Sequence, residues 1–106
     1  MGFFEFLRGP DINQGVAECG ATPGGVLLDV RTPQEYREGH IPNSVNLPLE
    51  TLGGSSSVPA GKDAPLFVYC YSGARSRQAV GLLGRMGYAN AKNIGGIAAY
   101  KGKVER

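Results

Sequence analysis

Apolar residues recur along this chain in two rhythms. Ile12, Val16 and Cys19 fall at helical spacing behind Asp11 and Gln14, which read as a capping pair, so a first helix is expected over about 12–20. Gly20 to Gly25 is a turn, and Val26-Leu27-Leu28-Asp29-Val30 is then a nearly continuous apolar run, as in a strand covered on both faces. Thr32-Pro33-Gln34-Glu35 combines an N-cap Thr, Pro at the first helical position and Glu at the third, a capping box that opens a short helix. Gly39 is placed to end that helix in the left-handed conformation. Ser44-Val45-Asn46-Leu47 reads as the next strand, and residues 53–63, rich in Gly and Ser, as an exposed loop.

Leu66-Phe67-Val68-Tyr69 is the strongest strand signal, with Cys70 at its carboxyl end. Ala79, Leu82, Leu83 and Met86 then fall at i, i+3, i+4 and i+7 ahead of Gly87, which predicts a helix over about 75–86 with one stripe against the sheet. A last short strand near Ala91–Ile94 and a helix after Gly95-Gly96 close the pattern. Strands alternating with helices in this way imply an α/β fold: a central parallel sheet of about five strands with helices on both faces. Ligands of such sheets gather at the carboxyl ends of the strands, which brings Asp29, Val30 and Arg31 to the same rim as Cys70.

A length of 106 residues suits one domain, and 25 Leu, Ile, Val and Phe residues suffice for its core. The net charge of +2 is too small to suggest a nucleic-acid binder. It is unevenly spread: residues 1–61 hold three Arg against seven Asp or Glu, whereas residues 62–106 hold eight Lys or Arg against two acids. The basic half is therefore the one suited to attract a small anion. Two cysteines 51 positions apart and a single His supply neither a disulfide framework nor a zinc site, which fits a reducing compartment. The apolar start of the chain is broken by Glu5 and followed by Pro10, unlike a secretory signal, Phe6 stands where myristoylation needs Ser or Thr, and no run has transmembrane length. A cytoplasmic protein with no membrane contact is expected.

The chemistry concentrates in Cys70-Tyr71-Ser72-Gly73-Ala74-Arg75-Ser76, which runs from the central strand into a helix. Successive backbone N–H groups at such a helix start curl around one point, and the dipole contributes about half a positive charge there. Arg75 adds a full charge, Gly73 permits the tight curl, and Ser72 and Ser76 offer hydroxyl donors. All of this favours thiolate over thiol at Cys70. A structural cysteine needs none of these neighbours, so Cys70 is read as a nucleophile, whereas Cys19 on the stripe of a helix is read as core. His40, between a helix-ending Gly and Ile-Pro, suits a loop-fixing hydrogen bond. Asp29 inside a buried strand must be paired, and Arg31 is its natural neighbour, in a pair supporting the loop. Tyr69, Tyr71 and Tyr100 are candidates to line a pocket, with aromatic packing an equal account of Tyr69 and Tyr100.

These motifs resemble those of the rhodanese-like domain family over roughly residues 11–101. Leu28-Asp29-Val30-Arg31-Thr32-Pro33-x-Glu35-Tyr36, with Gly39-His40-Ile41-Pro42, resembles the N-terminal signature. Val68 to Ser76 resembles the active-site loop in its CxxGxR form, and Gly87-Tyr88 with Gly95-Gly96 matches the segment after the active-site helix. The resemblance implies a single rhodanese-like domain over residues 1–106 that works as a thiosulfate-type sulfurtransferase. Cys70 would take sulfur from a small anionic donor such as thiosulfate, hold it as a persulfide and pass it to cyanide, a thiol or a protein acceptor. The N–H groups of residues 71–76, from Tyr71 through Ala74 to Ser76, would stabilise the persulfide, and Arg75 would hold the sulfonate end of the donor. No cofactor and no metal are implied, and a monomer or weak dimer is expected. Two departures stand out: Asn43 where a Gly usually follows His-Ile-Pro, and Ala99-Tyr100 where many members have Trp.

Two other readings compete. A phosphatase or arsenate reductase on a similar scaffold places five residues between Cys and Arg, whereas here there are four, and no Asp follows Cys70 as a leaving-group acid. A non-catalytic or partner-dedicated sulfur-carrier or regulatory module would keep the fold without general turnover.

Overall fold

The computed structural model describes residues 9–54 and 57–106; the N-terminal stretch on which the expected absence of a secretory signal was read, residues 1–8, lies outside the described residues. Helix α1 (Ile12–Ala21) starts where expected, but Asp11 caps it by accepting the Asn13 N–H at 2.9 Å, so the Asp11 carboxylate is used two residues on and not at Gln14. Strand β1 (Val26–Asp29) leads to α2 (Pro33–Glu38), whose capping box is complete: Glu35 N–H donates to Thr32 Oγ1 and Thr32 N–H donates to Glu35 Oε1. Gly39 ends α2 with φ +157° and ψ 129°, a positive φ that lies outside the left-handed helical cap expected. Its N–H still closes the last turn on the Tyr36 carbonyl.

The chain then passes Asn43, which holds φ +71°, a left-handed conformation that Asn tolerates better than most residues and that Gly adopts freely. Backbone geometry thus accounts for the Asn-for-Gly departure. Strand β2 (Ser44–Asn46), a 3₁₀ turn (Leu49–Thr51), β3 (Leu66–Cys70), α3 (Ala74–Arg85) and β4 (Ala91–Gly96) follow. After β4 a 3₁₀ turn (Ile97–Ala99) stands where a helix was expected.

All strand pairs are parallel, in the order β2-β1-β3-β4, with β3 internal as its apolar run predicts. The sheet has four strands among the described residues, where about five were expected. The C-terminal segment makes only one antiparallel bridge, between His40 and Glu105, and does not extend into a further strand.

All five residues of β3 are buried, and their alternation divides the core between the two faces. Leu66, Val68 and Cys70 join Leu28, Val30, Ala79 and Leu83 under α3. Phe67 and Tyr69 join Ile12, Leu27, Ile41 and Ile94 under α1. Each Leu, Ile or Phe fully buried in this way contributes about 1.5–3 kcal/mol. Helix α1 lies so close to β4 that a Cβ on Gly15 would stand 2.4 Å from the Ile94 Cβ. Cys19 packs against the core under α1 as its place on the helix stripe predicts, though it is only half-buried, and burial raises its thiol pKa. Among the described residues no helix is long and apolar enough to cross a membrane.

Candidate active site

Parallel pairing aligns the carboxyl ends of the strands, and there the chain turns from β3 into α3 through three residues, Tyr71, Ser72 and Gly73. Cys70 is the last residue of β3 and is 1% exposed. Gly73 adopts φ +102° as the N-cap of α3, a conformation strained for any side-chain-bearing residue, and its N–H turns back to donate to Cys70 Sγ at 3.0 Å. The Ser76 hydroxyl lies 3.4 Å from the same sulfur. Burial raises the Cys70 pKa, but the Ser76 hydroxyl and the backbone N–H groups of Ser76, Gly73 and Ser72 together outweigh it and leave the thiol below its ordinary value of 9.0. The hydrogen bonds that reach the sulfur come from the Gly73 N–H and the Ser76 hydroxyl. Tyr71 and Ser72 are exposed at its mouth, Tyr71 by 54%, and Ala74 is exposed on the first turn of α3.

The nest is anchored from β4. Ser76 is fully buried, and its single hydroxyl proton has two acceptors in reach, Asn93 Oδ1 at 2.7 Å and the more distant Cys70 Sγ. Asn93 Nδ2 donates to the Gly73 carbonyl at 3.3 Å, and Asn93 Oδ1 also accepts the Gly95 N–H at 3.0 Å. Asn93 stands where the β3–β4 register shifts, between Val68 and Tyr69 of the partner strand. That irregularity lets its side chain reach back under the loop. The loop backbone lies against Gly96, where a Cβ would sit 2.1 Å from the Tyr71 carbonyl oxygen. The Ala98 N–H donates to that same carbonyl at 3.0 Å.

Arg75 has a partner that local reading of the sequence does not reveal. Its Nη1 lies 2.7 Å from Glu35 Oε1 and its Nη2 lies 3.0 Å from Glu35 Oε2, a two-pronged pair linking the active-site loop to the N-terminus of α2. Glu35 is pushed down to about 2, first by the Arg75 hydrogen bonds, and Arg75 is held more firmly protonated in return. Its local capping role masked this second one, just as Asn93 was masked by its place on an unremarkable edge strand. The close Gly-Gly that follows Asn93 was the available signal.

Asp29 and Arg31 do pair, buried, with Arg31 Nη2 2.7 Å from Asp29 Oδ2. That nitrogen also donates to the Gly39 carbonyl at 2.7 Å, so the pair braces the end of α2, while the loop is braced by Glu35 and Arg75. His40 takes the loop-fixing role: its Nδ1 lies 2.8 Å from the Tyr36 carbonyl and its ring stacks on Tyr36 at 3.7 Å. Tyr69 is no pocket residue. It is wholly buried, and its hydroxyl accepts the Ile41 N–H at 3.1 Å. Tyr100 packs against the core under α1, leaving Tyr71 as the tyrosine at the mouth. Among the described residues no three His, Cys, Asp or Glu side chains converge as a metal-binding group.

The sequence matches the rhodanese-like domain family over residues 13–103. It is 42% identical over 77 residues to a sulfurtransferase of Allochromatium vinosum, covering 71% of this chain and 70% of that one. It is 36% identical over 72 residues to the thiosulfate sulfurtransferase PspE of Escherichia coli, covering 66% and 68%. The fold superimposes on a rhodanese with anions from E. coli with a TM-score of 0.65 at 31% identity, covering 76% of this chain and 96% of that one. With a cysteine closing its central strand and amide hydrogens turned onto the sulfur, the chain belongs to the rhodanese-like domain family and is a rhodanese-type enzyme.

Proposed function

We propose that this protein moves sulfane sulfur from a small anionic donor of the thiosulfate type to a thiophilic acceptor, through a persulfide on Cys70. The observation that carries the reading is the donation of the Gly73 N–H to Cys70 Sγ at 3.0 Å, with the Ser76 hydroxyl beside it. A sulfur so placed is the natural seat of an anion, and a relative of known structure is described with anions bound.

The chemistry requires no proton. The Cys70 thiolate attacks the outer sulfur of thiosulfate, so a bond forms between Sγ and that sulfur. The S–S bond of thiosulfate breaks, and sulfite leaves as the dianion with the bonding pair. The remaining negative charge lies on the terminal sulfur of the persulfide, which the N–H groups of the loop stabilise. An acceptor such as cyanide or a thiolate then attacks that terminal sulfur and releases the Cys70 thiolate. Phosphate-ester hydrolysis is disfavoured by the four-residue spacing and by the guanidinium of Arg75, which is turned onto Glu35.

Intact-mass measurement after thiosulfate treatment tests the reading. The protein should gain one sulfur atom that cyanide or reductant removes. Cys70→Ala should abolish the gain and Cys19→Ser should retain it; equal loss in both would refute the assignment. If only a protein acceptor discharges the persulfide, the chain works as a partner-dedicated carrier.

A further inference from the structure

Arg75 stands on the first turn of α3, five positions after Cys70, and its charge interacts with that of Cys70. Yet one carboxylate occupies both of its terminal nitrogens, at 2.7 and 3.0 Å. Glu35 is itself pinned, because its Oε1 accepts the Thr32 N–H and the Thr32 hydroxyl, each at 3.1 Å. The pair is about two-thirds buried, with side-chain exposures of 35% and 30%, so solvent screens it only partly. The other charged groups near it are few. Glu50, from the turn after β2, adds a further negative influence on Arg75; Asp29 and Arg31 are closed on each other; and β4 presents the neutral Asn93, Gly95 and Gly96 to the loop.

We infer that Glu35 is a positioning residue of the sulfur site: it holds Arg75 as a strut beside the loop and cancels most of its charge, so that the N–H cradle alone sets the Cys70 thiolate and the mouth does not retain dianions. The chemical advantage is release. A bare guanidinium would hold the sulfite dianion after transfer, and a thiolate stabilised too far loses nucleophilicity along with its basicity. The part of the inference that concerns sulfite rests on the proposed persulfide chemistry; the part that concerns the thiolate does not.

The test compares wild type, Glu35→Gln, Arg75→Gln and the double variant, all carrying Cys19→Ser, by the pH dependence of Cys70 alkylation with iodoacetamide. Gln keeps an oxygen for Thr32, so the cap of α2 is preserved. Uncovering Arg75 in Glu35→Gln should raise the thiolate fraction below its midpoint by about threefold or more, in keeping with an opposite charge at close range. The gain should vanish in the double variant, and Arg75→Gln alone should lower the fraction by less than about threefold, since its charge is already cancelled. In thiosulfate turnover, Glu35→Gln should lower KM without raising kcat. A mere loosening of the loop would shift the midpoint the other way, because the N–H donors would be lost. An unchanged or raised midpoint in Glu35→Gln, a gain that survives in the double variant, or a tenfold loss in Arg75→Gln would overturn the inference. If alkylation behaves as expected but no variant turns over thiosulfate, the sulfur-transfer reading fails and the role of Glu35 at the thiolate stands.

Discussion

The carboxamide of Asn93 accepts the hydroxyl proton of Ser76 at 2.7 Å and so ties the edge strand β4 to the first turn of α3. Through the Gly73 carbonyl, the same side chain also holds the residue whose N–H faces the sulfur. Asn93→Ala would strip a partner from the Ser76 hydroxyl, the Gly73 carbonyl and the Gly95 N–H at once. Urea unfolding should show a loss of about 1–3 kcal/mol, and Cys70 alkylation should shift to higher pH as the cradle loosens. Unchanged stability together with an unchanged alkylation midpoint would remove Asn93 from the site's support.

Gly96 faces the backbone of the active-site loop with no space for a side chain. In Gly96→Ala the new Cβ would meet the Tyr71 carbonyl oxygen at 2.1 Å and Ser72 Cα at 2.6 Å, and backbone atoms held on both sides by hydrogen bonds cannot yield cheaply. The loop must shift instead. Sulfur loading of Cys70 by thiosulfate should fall at least tenfold, an effect of about 1.4 kcal/mol, while the far-UV circular dichroism stays native. Full loading in this variant would show that the close approach is not needed.

Asp29 and Arg31 form a pair with exposures of 0% and 5%. Removing one buried partner leaves the other charge unpaired in a low-dielectric setting. Asp29→Ala should therefore lower stability by about 3–5 kcal/mol. Chemical denaturation gives the answer directly: a loss below about 1 kcal/mol would mean that Arg31 finds solvent or another acceptor.

Two depressed acids make stability depend on pH in opposite parts of the scale. The Cys70 pKa is lower in the folded chain than the ordinary thiol value of 9.0, so its contribution is complete above that value and is lost as pH falls through the folded pKa. The stability of wild type relative to Cys70→Ala should rise with pH across that interval and be flat below it. Glu35, pushed from 4.5 down to about 2, contributes fully above the ordinary carboxylate value and loses its contribution as pH falls toward about 2. Wild type should thus lose its advantage over Glu35→Gln between about pH 5 and pH 2. Parallel profiles for each pair of proteins would contradict the two shifts.

Local physics made much of this protein readable along the chain. The unbroken apolar run of Leu66 to Tyr69 identifies a strand buried on both faces, the Thr32–Glu35 capping box marks a helix start, and a cysteine followed by Gly-x-Arg-Ser at a strand-to-helix junction is read as an anion cradle. Each of these signals acts over a few residues, which is why they survive without knowledge of the fold. The end of the last strand, the 3₁₀ turn over Ile97–Ala99 and the count of four strands among the described residues were beyond such reasoning, because they depend on what the C-terminal segment meets in space.

The residues themselves thus establish the parallel α/β layering and the strand-to-helix junction that carries Cys70, both of which follow from hydrophobic period and helix-terminus chemistry. Partner choice across long separations belongs to the folded chain alone. Glu35 meets Arg75 across 40 positions and Asn93 meets Ser76 across 17, because parallel crossovers bring the strand ends to one rim. A side chain such as Glu35, whose local role is already satisfied, gives no sign in one dimension that its remaining oxygen and its charge are engaged elsewhere.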